Sequence, residues 1–351
     1  MTQAGFTLIG NRERNGGFGV PMVEGNRHIL GNEFVSEIGE SNWTPLKADL
    51  VFGNPPCSGF SGLSGAGKSS GKWTTGADNS INDCMHLLVD YAAKCDPQVV
   101  IFESVPLAFR NGRGLMQNLR RKLERETGAE WDLHHCLHNC LSVGGAAMRK
   151  RYFFVASRVP FGVTRGSGPA RTLRDAIGDL ETVELGAMEG HDMVVVKNTP
   201  RIIELATNAE WNGGERWDVP YARLGGTSGD HWKGRRVGGD TFAPLRWKYD
   251  EPARVLVGDS LQKIVHPTLP RTLTHREAAR IMGYPDDWSC APAVERGANG
   301  GEWWGKQIPV PSGRWIATAA AAAIQGNPFD YRGEEIGPRE YLIDITHDWK
   351  V

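Results

Sequence analysis

The 351-residue chain reads as an α/β protein, a mainly parallel sheet with helices on both faces and a smaller domain inserted late in the chain. Three observations carry this reading. Over residues 1–160, short apolar runs alternate with apolar residues at helical spacing. Over 165–265 the texture changes, and Gly, Trp and charged residues mix without clear period. A capping-box helix and an alanine-rich helix then follow.

The elements come in this order. Thr7-Leu8-Ile9 is a short apolar run. Asp49-Leu50-Val51-Phe52 is a buried strand that stops at Gly53-Asn54-Pro55-Pro56, because proline fixes φ and has no N–H to donate. Ile81, Met85, Leu88, Ala92 and Cys95 recur at helical spacing, and Gln98 to Phe102 is the next strand. Leu115, Leu119 and Leu123 mark a helix that ends at Gly128, a suitable C′ residue. Leu133 to Leu141 and Tyr152 to Val155 form a closing strand pair. Thr274-His275-Arg276-Glu277 is a capping box that opens a helix through Met282. A last helix starts near Ser312, and the residues after Gly326 read as an acidic tail. The expected organisation is a catalytic α/β domain over 1–164, an inserted domain over 165–265, a return to the first domain over 266–326, and a tail over 327–351.

Composition bounds the partners. Lys plus Arg is 40 and Asp plus Glu is 41, so no uniform positive coat exists, although a basic cleft is still possible. The six cysteines show no framework spacing, and neither a signal peptide nor an apolar run near 18 residues is present. These features imply a soluble cytoplasmic protein with free thiols and no membrane partner.

Cys57 follows two prolines on a stiff turn at a strand's carboxyl edge, where open α/β sheets bind ligands. The alternative is an inert buried thiol. Glu103 ends the next strand, and its bland reading is an acid at a helix start. Arg149 and Arg151 alternate and so share a strand face, either in the site or in solvent. Gly62-Leu63-Ser64-Gly65-Ala66-Gly67-Lys68-Ser69 matches the phosphate-loop pattern, but no strand leads into it and no helix start follows. A mobile loop fits those residues better. His134, His135, Cys136, His138 and Cys140 crowd one strand, so no metal site is expected. The basic run from Arg110 to Arg125 reads as a solvated helix face. Lys233, Arg235 and Arg236, in a Gly-rich loop, are the better phosphate contacts.

Five short signals fall in one order: Pro55-Pro56-Cys57, Phe102-Glu103-Ser104-Val105, Arg149-Lys150-Arg151, Arg271 to Arg280 continuing to Trp288, and Gly305-Lys306-Gln307-Ile308-Pro309. Over roughly residues 3 to 325 this order resembles the cytosine-5 DNA methyltransferases, with phrasing most like phage-type members. The resemblance implies an S-adenosylmethionine-dependent, Rossmann-like methyltransferase sheet acting on double-stranded DNA, in a bacterial host cytoplasm if phage-encoded. It also implies a target recognition domain at 165–265 and a role for such an enzyme in restriction-modification. Cys57 would add to C6 of a flipped cytosine, Glu103 would assist at N3, and Arg149 or Arg151 would stand near the ring carbonyl. Ser58 and Ser61 would belong to the loop that closes over the base. Glu13, Asn32 and Pro55 would meet the cofactor, Glu13 at the ribose and Asn32 at the adenine.

The chain departs from the family pattern in places. Ser58 stands for Gln, Ser104 for Asn, Ala147 for Gln and Lys306 for Asn. The family's first strand and Gly-rich turn have no counterpart before Ala4-Gly5-Phe6, which reads as an N-terminal truncation. Three alternatives follow from that gap. One is a start upstream of Met1. Another is an enzyme that uses a different one-carbon donor at C5. The third is a non-catalytic relative, or a subunit that borrows the Gly turn from a partner chain.

Overall fold

The computed structural model describes residues 6, 11–14, 32–35, 47–55, 60, 83–166, 169–184, 245–256, 261, 264–290, 293–294 and 301–349. Two short strands, β1 (Asn11–Arg14) and β2 (Asn32–Val35), pair in parallel. The central sheet has six strands: β3 (Leu50–Gly53), β4 (Val99–Ser104), β5 (Asp132–Asn139), β6 (Lys150–Ser157), β9 (Glu334–Gly337) and β10 (Glu340–Ile345). Their spatial order is β3-β4-β6-β5-β10-β9.

The sheet is mixed rather than mainly parallel. β3 with β4 and β5 with β10 run parallel, whereas β6 is antiparallel to both β4 and β5. The connection from β5 to β6 is a short 3-10 turn over Cys140–Val143 and a loop, not a crossover helix, so the chain returns antiparallel.

Both faces are covered, which explains why every residue of β4 is buried. On one face, α1 (Asp83–Cys95) and α2 (Pro106–Thr127) set Met85, Val89, Met116 and Leu119 against Val100, Phe102, Tyr152 and Phe154. α2 starts on Pro106, whose missing N–H costs nothing in a first turn. It ends as the spacing suggested, at Gly128 with φ 68°, a left-handed cap that glycine tolerates. On the other face, α6 (Val310–Ile324) lays Trp315, Ile316, Ala319, Ala320 and Ala323 over Ile101, Phe153 and Val155. Phe6 packs against this same cluster.

A second core lies beside the sheet. α3 (Leu173–Ile177), α4 (His275–Ile281) and α5 (Gly301–Lys306) join Tyr249, Ala253, Leu256, Leu261 and Ile264 around Trp247, Leu273, Ile281 and Trp304. Ala146 and Ala147 close it from the β5–β6 connection, and the bridge Ala147↔Ala253 fastens the two parts. The minor strands β7 (Leu245–Arg246) and β8 (Ile264–Val265) pair there. This core draws residues from both sides of position 265, the boundary expected between the insert and the returning chain. α4 carries the capping box: Thr274 Oγ1 accepts from Glu277 N at 3.1 Å, and Glu277 Oε2 accepts from Thr274 N at 2.8 Å. Arg271 grips the same carboxylate through both guanidinium ends at 2.8 Å. Burial would raise Glu277, but Arg271 and His266 outweigh it and hold the carboxyl at about 2. The Arg-Thr-Leu-Thr-His-Arg-Glu sequence is therefore a structural clasp in this fold.

The acidic tail is a correction. β10 pairs in parallel with β5 from Glu340↔Leu133 to Ile345↔His138, and β9 pairs antiparallel with β10. Ile343 and Ile345 are fully buried in the sheet core. The segment leading there passes close to the end of β6: a Cβ on Gly162 would stand 1.9 Å from Phe329 O, so only glycine fits. Among the described residues, no helix is long and apolar enough to cross a membrane.

Candidate active site

The site begins at the carboxyl end of β3. Gly53 pairs with Phe102 in the parallel register, so the next residue, Asn54, comes level with Glu103 on β4. Pro55 is buried, and Asn54 is exposed. Asn54 Nδ2 donates to Glu103 Oε2 at 3.1 Å. Cys57, two residues further, lies outside the described residues, as do Ser58 and Ser61. Phe60 is described and is buried at 3% exposure. It fills the notch on α2 where Gly112 has no side chain, since a Cβ there would sit 2.8 Å from its ring. In sequence, Cys57 thus falls between the described Asn54–Pro55 and Phe60.

Glu103 is only 4% exposed. Across the antiparallel ladder it pairs with Phe153, and Arg151 is two residues before Phe153 on the same face of β6. Arg151 Nε lies 2.5 Å from Glu103 Oε1. The carboxyl group is thus flanked by an amide on one oxygen and a guanidinium on the other. Burial pushes it above the usual carboxylate range, against the opposite pull of Arg151, Arg149 and Asn54. A carboxyl poised in this way can hold a proton and pass it to a ring nitrogen.

Arg149 is used differently. It is 1% exposed, with Nη1 donating to Leu256 O at 2.6 Å and Nη2 to Gly305 O at 2.5 Å. Burial, with Arg151 beside it, pulls Arg149 down to about 9, still cationic at neutral pH. Both ends of its fork are occupied by backbone carbonyls, so Arg149 ties the start of β6 to the second core and to α5. Of the two arginines expected at the ring carbonyl, the structure sets Arg151 against Glu103 and makes Arg149 a brace.

The remaining expectations divide. Glu13 is the third residue of β1 and pairs with Phe34, whereas Asn32 opens β2 and pairs with Asn11. These two strands form a sheet of their own, apart from the six-stranded sheet that leads to Pro55. Lys233, Arg235 and Arg236 lie outside the described residues. His134, Cys136 and His138 are buried in the core, and no cluster of His, Cys, Asp or Glu among the described residues could hold a metal. The basic face of α2 is largely engaged: Arg113 meets Glu340, and Lys122 meets Asp90.

Two contacts were not reached from the sequence. Asn54 sits in a Gly-Asn-Pro-Pro turn, where asparagine is unremarkable as a turn former, so its bond to Glu103 left no separate signal. Arg149's partners are main-chain oxygens, which carry no side-chain code at all.

Residues 34–321 match the C-5 cytosine-specific DNA methylase family, and the chain belongs to that family. It is similar to a type II methyltransferase from Haemophilus parahaemolyticus, 25% identical over 250 residues, covering 69% of this chain and 60% of that protein. The chain thus spans about 60% of the length of that relative. A type II methylase from Herpetosiphon aurantiacus is 23% identical over 295 residues, covering 79% of this chain and 77% of the relative. Among solved structures, a DNA modification methyltransferase encoded within an E. coli prophage aligns with TM-score 0.50 at 14% identity, over 80% of each chain. That likeness is one of fold.

Proposed function

We propose that this protein is a DNA cytosine-5 methyltransferase that acts on a cytosine flipped out of double-stranded DNA. The observation that carries the reading is Glu103, buried between Asn54 of the cysteine turn and Arg151 of β6. Its family supports the same chemistry. The Cys57 thiolate adds to C6, while Glu103 hydrogen-bonds or protonates N3 and Arg151 steadies the charge that develops on O2. The ring then carries an enamine whose C5 is nucleophilic. Bound S-adenosylmethionine would supply the methyl group and leave as S-adenosylhomocysteine, with Glu13, Asn32 and Pro55 as the residues proposed to hold it. Loss of the C5 proton and expulsion of the Cys57 thiolate restore the aromatic ring. The segment 165–265 would read the target sequence, with Lys233, Arg235 and Arg236 on phosphates and Ser58 and Ser61 in the closing loop.

The test is transfer of label from S-adenosylmethionine to unmethylated duplex DNA, followed by nucleoside analysis for 5-methylcytosine and by sequencing to map the site. Cys57→Ala is expected to abolish transfer. Absence of both label transfer and a covalent adduct with 5-fluorocytosine DNA would overturn the reading.

A further inference from the structure

Asn54, Glu103 and Arg151 come from three adjacent strand ends and form a row. Asn54 Nδ2 donates to one carboxyl oxygen at 3.1 Å, and Arg151 Nε meets the other at 2.5 Å. Glu103 at the centre is buried, and Asn54 at the end is exposed. An amide that gives its nitrogen to a carboxylate leaves Oδ1 as an acceptor. With the central carboxyl protonated, the row presents an acceptor, a proton donor and a guanidinium donor, in that order.

The Watson–Crick edge of cytosine presents the complement in the same order: the N4 amine donates, and N3 and O2 accept. Uracil and thymine present an acceptor at position 4 and a donor at N3, so they would meet this row with two like groups facing each other. We propose that Asn54 is a specificity-determining residue whose Oδ1 accepts a hydrogen bond from the N4 amine of the flipped base, so that Asn54, Glu103 and Arg151 together read the whole edge. This rests on the cytosine reading above. It assigns the end of the row to a side chain that is also fixed to the central acid, so recognition of the amine and placement of Glu103 are mechanically linked.

The test uses the full chain with S-adenosylmethionine and two duplexes that carry the mapped site. In one the target base is 5-fluorocytosine. In the other it is 5-fluoro-2-pyrimidinone, the same ring without the amine. Addition at C6 needs no amine, so both trap a covalent adduct. Wild type is expected to form the adduct about tenfold faster with the amine-bearing base, the order expected of one hydrogen bond. Asn54→Ala should bring that ratio close to one, because the fall on 5-fluorocytosine exceeds the shared fall on both bases that comes from a loosened Glu103. Asn54→Gln, which keeps both the amide donor for Glu103 and an acceptor, should retain the preference. Because Asn54 is exposed, the melting midpoint measured alongside should be unchanged in both variants. If folded Asn54→Ala slows both bases alike, Asn54 acts only through Glu103 and the proposal falls. If wild type forms no adduct with 5-fluorocytosine, the cytosine reading itself falls.

Discussion

Arg151 and Glu103 are diagonal neighbours across β6 and β4, and Nε of one lies 2.5 Å from Oε1 of the other. Two opposed forces meet at that carboxyl group. Burial favours its neutral form, and the guanidinium favours its charged form. Burial prevails, so the Glu103 carboxyl stands above the usual carboxylate range, restrained by the cation beside it.

Removing either partner should therefore give different signatures. Glu103→Gln keeps the shape but cannot transfer a proton, and kcat is expected to fall roughly 10²- to 10⁴-fold. Arg151→Ala removes a charge that lowers Glu103, so its carboxyl moves further up. The alkaline limb of the kcat profile, where Glu103 loses its proton, should shift to higher pH while the maximum rate drops. Single-turnover rates across pH, measured on the mapped duplex, check both. An alkaline limb that stays in place in Arg151→Ala would separate it from Glu103.

Arg149 calls for the opposite expectation. Its fork holds Leu256 O and Gly305 O, both in the second core's neighbourhood, and it is almost fully buried. Arg149→Met fills the volume but strips two carbonyls of their donors, which costs about 1–3 kcal/mol for each buried group left unpaired. The melting midpoint should fall by several degrees. Thermal denaturation of the two arginine variants side by side checks this: Arg149→Met is expected to melt earlier, and Arg151→Ala close to wild type.

How far the sequence revealed this arrangement depends on what each residue touches. β3, α1, β4 and α2 were legible because their apolar residues repeat at the period of their own element, and Gly128 marked where α2 stops. Thr274 and Glu277 were legible because a capping box is a local pattern. Glu103 and Arg151 were singled out by their place in the order of family motifs, and the structure sets the two side chains against each other. β9 and β10 were hidden because Glu334, Glu335, Glu340 and Asp344 gave the segment an acidic character. Glu340 is in fact buried, and Arg113, Gln117 and His135 are its partners from residues more than 200 positions away. No local reading could supply partners at that separation.

The aromatic core around β5 makes stability depend on pH. His134 stacks on Tyr341 with Phe161 tilted against its ring, and His138 stacks between Phe153 and Trp315. Burial pulls them down to about 4 and about 3, and it pulls His135 down to about 4 against the pull of Glu340. Each is neutral in the fold and takes up a proton more readily once unfolded. Their contribution is therefore fully present above the unfolded value near 6.5, and it is lost as pH falls toward the folded values. The loss for His134 reaches about 3 kcal/mol by pH about 4. The melting midpoint should drop steadily from pH 7 to 5, and His134→Phe, which keeps the stacking without the charge, should flatten that slope. Melting curves at several pH values decide it.

Removing residues 327–351 tests whether β10 is part of the core or an addition to it. Its six residues satisfy the hydrogen-bonding edge of β5 from Leu133 to His138. Truncation would bare that edge, which is a template for association with other chains. It would also take Ile343 and Ile345 out of a packed core, each a loss of about 2–5 kcal/mol if judged as a large-to-small change. Arg113 and the buried His135 would lose Glu340 as well. Against a stability of roughly 5–15 kcal/mol for a domain, these losses are enough to abolish the fold. The chain ending at Gly326 is expected to be insoluble, or soluble without a cooperative melt, while Asp344→Asn, at the exposed position of the same strand, should cost little. A truncated chain that melts like the full one would show that β5 can serve as the sheet's edge unaided.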